Sequence, residues 1–132
     1  MRAAFRLFAI IGAVLAGACT NEVETGRASY ADMCAGCHGA SGRGNGPAAA
    51  GLAVHPADLT RIAARNGGTF PRLDVMARLD GYAKGEAHDG SVPPLWPLLD
   101  GRTVLIKTGD GILSPTPEPT VALTSYLESI QN

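Results

Sequence analysis

Residues 30–39 read YADMCAGCHG, and this stretch decides the fold. It holds two cysteines three positions apart, Cys34 and Cys37, with His38 directly after the second. Two thiols at this spacing on a turn can reach neighbouring points on one edge of a bound group, and the adjacent imidazole is then forced beneath its centre. The only other cysteine is Cys19, so the sequence has no disulfide framework to stabilise a small fold.

The C-x-x-C-H pattern is the attachment sequence of c-type haem. In such sites the thiols form thioethers with the porphyrin vinyl groups, and the histidine is the proximal iron ligand. A zinc site would need a second ligand pair, and His55 and His88 stand alone. A thioredoxin-like pair follows a strand, whereas Cys34 follows a helical pattern, and a disulfide would not need His38. We therefore predict one covalent haem c, bonded to Cys34 and Cys37 and ligated by His38.

The first 18 residues are typical of a secretory signal. Arg2 and Arg6 precede an apolar run at residues 7–18, which is shorter than the ~20 residues needed to cross a bilayer. Cys19 follows a small-x-small sequence, so it is either a lipid acceptor, which we favour, or an odd thiol after a plain signal. We predict a periplasmic protein that contacts a membrane only through a lipid on Cys19 or a membrane-bound partner.

The charge balance excludes nucleic acid as an expected partner. The chain has 11 basic and 12 acidic residues, and removing residues 1–18 takes away two arginines, which leaves 9 basic and 12 acidic residues and a net charge of −3. There is no basic run. Paired carboxylates and a nucleophile with its base are missing too, so the haem carries the chemistry, and we predict an electron carrier rather than an enzyme.

The rest of the chain divides into a polar tether at residues 19–25 and a single domain over residues 26–132. We predict a first helix over residues 26–33, with Thr25 as its N-cap. The pattern then predicts, in order, a glycine-rich loop over residues 39–51, a short helix over 57–66, a helix over 70–80 and a second long loop over 81–103.

The clearest helix closes the chain. Residues 104–106 form a short apolar run that leads into a turn at residues 108–111. Thr116 is then the predicted N-cap of the last helix, and Pro117 takes the first helical position, where proline is tolerated. The apolar stripe of this helix is made of Leu123, Leu127 and Ile130.

Together these features resemble a class I (mono-haem) bacterial c-type cytochrome. The resemblance rests on residues 30–39, on Gly46-Pro47 in the glycine-rich loop and on the last helix around Tyr126-Leu127. It implies an all-α fold, the small cytochrome c fold, in which the N- and C-terminal helices cross beside a haem wrapped by loops.

The resemblance also implies individual contacts. Gly26 and Tyr30 would meet the last helix near Tyr126. The carbonyl of Pro47 would accept a hydrogen bond from Nδ1–H of His38, which would fix the ring and raise its basicity. The alternative for Pro47 is a plain loop stop.

The sequence departs from this family on the other side of the iron. Residues 90–97 read GSVPPLWP, and Val92 or Pro93 stands where the family brings a methionine. Neither side chain can bind iron. Met76 is then the one methionine with a chance to ligate, and the alternative is that it packs in a core stripe with Leu73 and Leu79.

Three other side chains could contribute to the haem site. His88 could complete a bis-histidine haem or could simply be solvated, and His55 would pack or meet a propionate. Trp96 is expected to shield a haem edge. The remaining alternative is an iron with water or nothing in its sixth position.

We therefore expect single-electron transfer between a redox donor and acceptor. Two alternatives stay open. One is a small-ligand binder, sensor or weak peroxidase with an open sixth position, and the other is the cytochrome subunit of a larger oxidoreductase.

Overall fold

The computed structural model describes residues 21–84 and 95–132, apart from the side chain of Trp96. The predictions for the signal, for Cys19, for His88 and for the loop at Val92 and Pro93 therefore lie outside the described residues. Within the described residues, no helix has both the length and the apolar character needed to span a bilayer.

Helices make up most of the described chain. The α-helices are α1 over residues 21–33, α2 Ala35–His38, α3 Ile62–Arg65, α4 Arg72–Ala83 and α5 Glu118–Ser129. Single 3₁₀ turns lie at Ala49–Gly51, Leu59–Arg61 and Trp96–Leu99. Two strands, β1 Thr103–Lys107 and β2 Leu113–Pro117, form an antiparallel ribbon.

The crossing of α1 and α5 is confirmed. A Cβ atom placed on Gly26 would lie 1.9 Å from the carbonyl oxygen of Ala122, so the two backbones touch at this glycine. One turn further on, the rings of Tyr30 and Tyr126 pack against each other at a tilt of 48°, with their centroids 5.1 Å apart. Because only glycine allows this approach, the crossing point is fixed by the sequence.

The hydrophobic core lies between α1, α4, α5 and the 3₁₀ turn at Trp96–Leu99. Leu98 and Leu123 are fully buried at its centre. Arg72 ties the three long helices together at the surface, because its guanidinium lies 2.6 Å from Glu128 of α5 and 3.8 Å from Glu22 of α1. The core residues are Tyr30, Leu79, Ala83, Leu95, Leu98, Leu123, Tyr126 and Leu127.

The N-terminal part of the domain corrects one prediction. Residues 21–25, expected to form part of the tether, are helical. Thr25 is therefore inside α1 and does not cap it: its hydroxyl donates to the carbonyl of Asn21, one turn back, over 2.8 Å. The lower limit of the domain and the cleavage after residue 18 stay predictions.

Helix α4 runs further than predicted. It continues through Gly81 to Ala83, which is 4 % exposed and packs in the core. Its buried face carries Met76, Leu79 and Ala83, whereas Leu73, expected to share that stripe, is 39 % exposed. Burial of Ala83 explains why a glycine two residues earlier does not end the helix.

The start of α5 also differs from the prediction. Thr116 is not its N-cap, because it lies in β2 opposite Val104. Pro117 occupies the cap position, and the first helical N–H, that of Glu118, donates to the carbonyl of Arg102 over 2.8 Å. A long-range backbone bond thus replaces the expected side-chain cap.

The β-ribbon is an addition to the predicted all-α fold, which is otherwise confirmed as a mostly helical domain. The predicted turn at residues 108–111 joins the two strands. Gly111 has a φ of 83°, and the carboxylate of Asp110 accepts a bond from the N–H of Ile112 over 3.1 Å. The same carboxylate accepts a bond from the hydroxyl of Thr108. This bond, and to a lesser extent the bond from Ile112, lowers the pKa of Asp110.

Candidate haem site

The two cysteines sit on a tight turn that continues the line of α1. The N–H of Cys34 donates to the carbonyl of Tyr30 over 2.9 Å, as in a continuing helix. The N–H of His38 then donates to the carbonyl of Cys34 over 2.9 Å. Gly39 ends the turn with a φ of 79°. The first helix therefore delivers the whole motif as one rigid piece.

The glycine-rich loop folds back over this turn. The N–H groups of Gly44 and Gly46 donate to the carbonyls of His38 and Cys37 over 2.8 and 3.0 Å. A Cβ atom on Gly46 would lie 2.3 Å from the carbonyl oxygen of Gly36. The loop can therefore satisfy the backbone groups at the end of the turn only because it carries glycine there.

Tyr30 contacts the end of the same turn through its side chain. Its hydroxyl donates to the carbonyl of Gly39 over 2.6 Å, and the residue is 1 % exposed. Burial, with smaller contributions from Cys34 and Tyr126, raises the pKa of Tyr30 to about 12. The hydroxyl therefore stays protonated and keeps this bond over the whole physiological range.

A cavity of about 450 Å³ opens beside the motif. Its size falls within the range of pockets that hold small molecules and cofactors. Both cysteines and His38 line it, and aliphatic side chains supply most of the remaining wall. The described lining residues are Met33, Cys34, Cys37, His38, Leu52, Val54, His55, Pro56, Ala57, Leu59, Ile62, Arg65, Val75, Arg78, Leu79, Tyr82, Leu95 and Leu127.

His38 is oriented by a backbone carbonyl, but not by the one predicted. Its Nδ1 lies 2.9 Å from the carbonyl oxygen of Ala57. The predicted contact with the carbonyl of Pro47 is wrong in this structure, because Nδ1 bonds to Ala57 instead, and Pro47 does not line the cavity. With Nδ1–H bound in this way, Nε2 is the ring nitrogen left for iron.

The segment that presents Ala57 is itself held in place. The N–H of Leu59 donates to the carbonyl of Gly42 over 2.7 Å, which joins the segment to the glycine-rich loop. Asp58 caps the following 3₁₀ turn by accepting bonds from the hydroxyl and the N–H of Thr60, and the hydroxyl bond is the main reason that the pKa of Asp58 is lowered.

Both motif cysteines are thiols in the structure and form no disulfide. Burial, and to a lesser extent the neighbouring Cys37 thiol, raise the pKa of the Cys34 thiol to about 11. The neutral thiol therefore dominates at pH 7. This state resists oxidation, because the thiolate is the reactive form.

We expect Cys34 of the haem-free protein to be alkylated slowly. With Cys19→Ser and Cys37→Ser, Cys34 is the one remaining thiol, and its rate with iodoacetamide at pH 8 can be compared in buffer and in urea. Burial is the larger cause of the raised pKa and remains in this variant, so the folded protein should react at least about tenfold more slowly than the unfolded one. Equal rates in the two solvents would contradict the burial of this thiol.

Of the remaining predicted site residues, some line the cavity and others do not. His55 lines the cavity, and the side chain of Trp96 lies outside the described residues. Met76 is 5 % exposed but is not among the described lining residues. The face of α4 toward the cavity instead carries Val75, Arg78, Leu79 and Tyr82.

Several residues that line the cavity were not predicted to do so from the sequence. Val75, Arg78, Leu79 and Tyr82 recur at positions i, i+3, i+4 and i+7, which is the signal of one helix face. The polar residues in the set hid that signal, because a search for apolar stripes favours Met76 over Arg78. Met33 lines the cavity as well, from the residue before the first cysteine.

The donor set fits a covalently attached haem. Two thiols and an oriented imidazole face one apolar cavity, and apolar surroundings are what a porphyrin needs. The described part of the chain contains no cluster of three or more His, Cys, Asp or Glu side chains able to hold a metal ion.

Fold and site together define a c-type cytochrome domain. Residues 21–78 match the family model described as "Cytochrome C oxidase, cbb3-type, subunit III". This part of the chain is thus similar to a mono-haem cytochrome c domain of that type, which implies covalent haem c, and Cys34 and Cys37 have the spacing that attachment needs. No curated protein and no solved structure matches the chain.

Proposed function

We propose that this domain transfers single electrons between two protein partners, with haem bonded to Cys34 and Cys37 and ligated by His38. The observation that supports the proposal is the convergence of these three side chains on one apolar cavity. Haem supplies a one-electron iron couple when it is bound there.

The residues around the motif would keep the site rigid during electron transfer. Ala57 holds the ring of His38 through Nδ1, and the glycine-rich loop holds the carbonyls of Cys37 and His38. A ligand that does not move between oxidation states costs little reorganisation. The same apolar walls would exclude water from the proximal side of the iron.

The partners are proposed to be a redox donor and acceptor, with an oxidase as the partner class that the family model favours. We place the protein in the periplasm, because bacterial c-type cytochromes are extracytoplasmic. A lipid on Cys19 would hold it at the membrane near such a partner. The net charge of −3 after signal removal would make these encounters depend on salt.

The experiment that tests this function is exposure of the reduced holoprotein to carbon monoxide. A dedicated electron carrier should keep its ferrous absorption spectrum and its reversible one-electron voltammogram under carbon monoxide. Formation of an adduct at micromolar gas, with no ligand displaced, would overturn electron transfer as the whole function.

A second candidate function is binding of a small ligand at an open sixth position. One observation favours it: the described face of α4 toward the cavity offers Val75, Leu79 and Tyr82, and Met76 is not part of it. We therefore expect Met76→Leu to leave the absorption spectrum of either oxidation state unchanged. Loss of a thioether band in that variant would instead assign Met76 as the iron ligand.

A further inference from the structure

Two arginines line the haem cavity without a partner of opposite charge. Arg65 lies at the end of α3 and Arg78 lies within α4, and both are exposed at the cavity wall. Arg27, Arg72 and Arg102 each form an ion pair with a glutamate. Among the described residues, the side chains of Arg65 and Arg78 have neither an ion pair nor a side-chain hydrogen bond.

The described wall of the cavity carries no compensating carboxylate. Its titratable groups are Cys34, Cys37, His38, His55, Arg65, Arg78 and Tyr82, and it includes no aspartate or glutamate. Guanidinium groups keep their charge at every physiological pH. Two positive charges beside an apolar surface are therefore left for the bound group to neutralise.

Haem brings the matching charge. Its two propionates take no part in the thioethers, since they lie on the porphyrin edge away from the vinyl groups. Arginine suits carboxylates because its planar fork can donate two parallel hydrogen bonds. The number of unpaired guanidinium groups at the cavity equals the number of propionates.

We propose that Arg65 and Arg78 bind the two haem propionates. The proposal rests on the covalent haem and not on the electron-transfer role, so it stands or falls separately from that role. In this arrangement α3 and α4 together hold the propionate edge of the haem, while the turn after α1 holds the vinyl edge.

The test is a pH titration of the holoprotein and of the Arg65→Gln/Arg78→Gln variant, following the reduction potential. Propionate ionisation produces an inflection in the potential. Opposite charges nearby favour the ionised form, so their removal should move this inflection upward by about one pH unit. The control is Arg61→Gln, which removes one positive charge from an exposed arginine outside the cavity wall and should leave the inflection in place.

Two outcomes would overturn the proposal. One is an inflection in the double variant equal to that of the parent protein, and the other is an equal shift in Arg61→Gln. Arg65→Lys/Arg78→Lys keeps both charges and should retain most of the parent's inflection. A lysine variant that behaves like the glutamine variant would exclude charge as the cause.

A second measurement covers the case in which the double variant does not mature with haem. In the full chain with Cys34→Ala and Cys37→Ala, haemin and haemin dimethyl ester can be compared as non-covalent ligands. Adding Arg65→Gln/Arg78→Gln should weaken haemin binding about tenfold and leave the ester unaffected, since two partly exposed ion pairs are lost. Equal weakening of both ligands would refute the assignment.

Discussion

Replacement of both motif cysteines, Cys34→Ala with Cys37→Ala, should abolish covalent haem. Each thiol supplies one thioether, and the cavity has no other described cysteine that could substitute. Haem staining after denaturing electrophoresis should fall to background, and the mass of the mature chain should be that of the polypeptide alone. The effect is all-or-none because it concerns covalent bonds rather than an equilibrium.

Cys19→Ala is the matched control for this experiment. It is the same substitution at the one cysteine of the chain outside the motif, and Cys19 precedes the residues that match the family model. Haem staining should persist in that variant. Residual covalent haem in the double variant would refute the assignment of the attachment site.

Loss of haem should also destabilise the fold. The cavity of about 450 Å³ would then have to fill with water or collapse, and both outcomes remove apolar contacts from its wall. A domain of this size has little core to spare, so a bound cofactor is a large part of its stability.

The attachment site could be predicted from sequence because its information is local. Five consecutive residues, Cys34 to His38, hold the two thiols and the imidazole, and the helix before them sets their direction. The meeting of Gly26 and Tyr30 with α5 came from the resemblance to a family, not from periodicity. The structure confirms it through contacts between residues that lie about a hundred positions apart in the sequence.

The partner of His38 could not be predicted in the same way. The acceptor is the backbone carbonyl of Ala57, and every residue has such a carbonyl, so no side chain marks it. What selects Ala57 is the bond between Leu59 and Gly42, which fixes this segment beside the motif. The prediction of Pro47 followed the family pattern and missed this arrangement.

The two ends of the long helices show how tertiary contacts override local signals. Thr116-Pro117 has the residues of a helix start, but pairing with β1 takes Thr116 into a strand. Gly81 has the residue type of a helix end, but burial of Ala83 carries α4 past it. In both cases a contact with a distant element decides the boundary.

The orientation of α4 could not be predicted from the sequence either. Leu73, Met76 and Leu79 form a stripe by spacing, yet Leu73 is exposed and the other two are buried. Spacing defines which residues share a face but not what that face meets. Met76 and Ala83 are buried outside the cavity lining, whereas Val75 and Tyr82 line the cavity.

Gly26→Ala should unfold the domain far more easily than the parent, although alanine is the better helix former. The substitution gains about 1 kcal/mol of helix propensity. Against this, the new Cβ would lie 1.9 Å from the carbonyl oxygen of Ala122 and 2.9 Å from the Cβ of Tyr126. The carbonyl is backbone of α5 and cannot rotate away, so the two helices must separate.

Separation of α1 from α5 would spread beyond the contact. The contact between the tilted rings of Tyr30 and Tyr126 lies one turn further along α1. The hydroxyl of Tyr30 also donates to the carbonyl of Gly39 at the end of the motif. Overpacking of a core costs about 1–3 kcal/mol. Because the clash is with backbone, we expect the upper end of this range, which leaves a net loss of about 2 kcal/mol after the gain in propensity. The measurement is the free energy of urea unfolding of the holoprotein.

Gly36→Ala provides the matched control. Gly36 also lies in a helix, α2, and a Cβ atom there would meet no atom within 4 Å. The same chemical change should therefore not lower the free energy of unfolding and should raise it by up to about 1 kcal/mol through helix propensity. If Gly26→Ala were as stable as Gly36→Ala, the helices could not cross at Gly26. A selective loss at Gly26 would show that this crossing holds the motif and its cavity together.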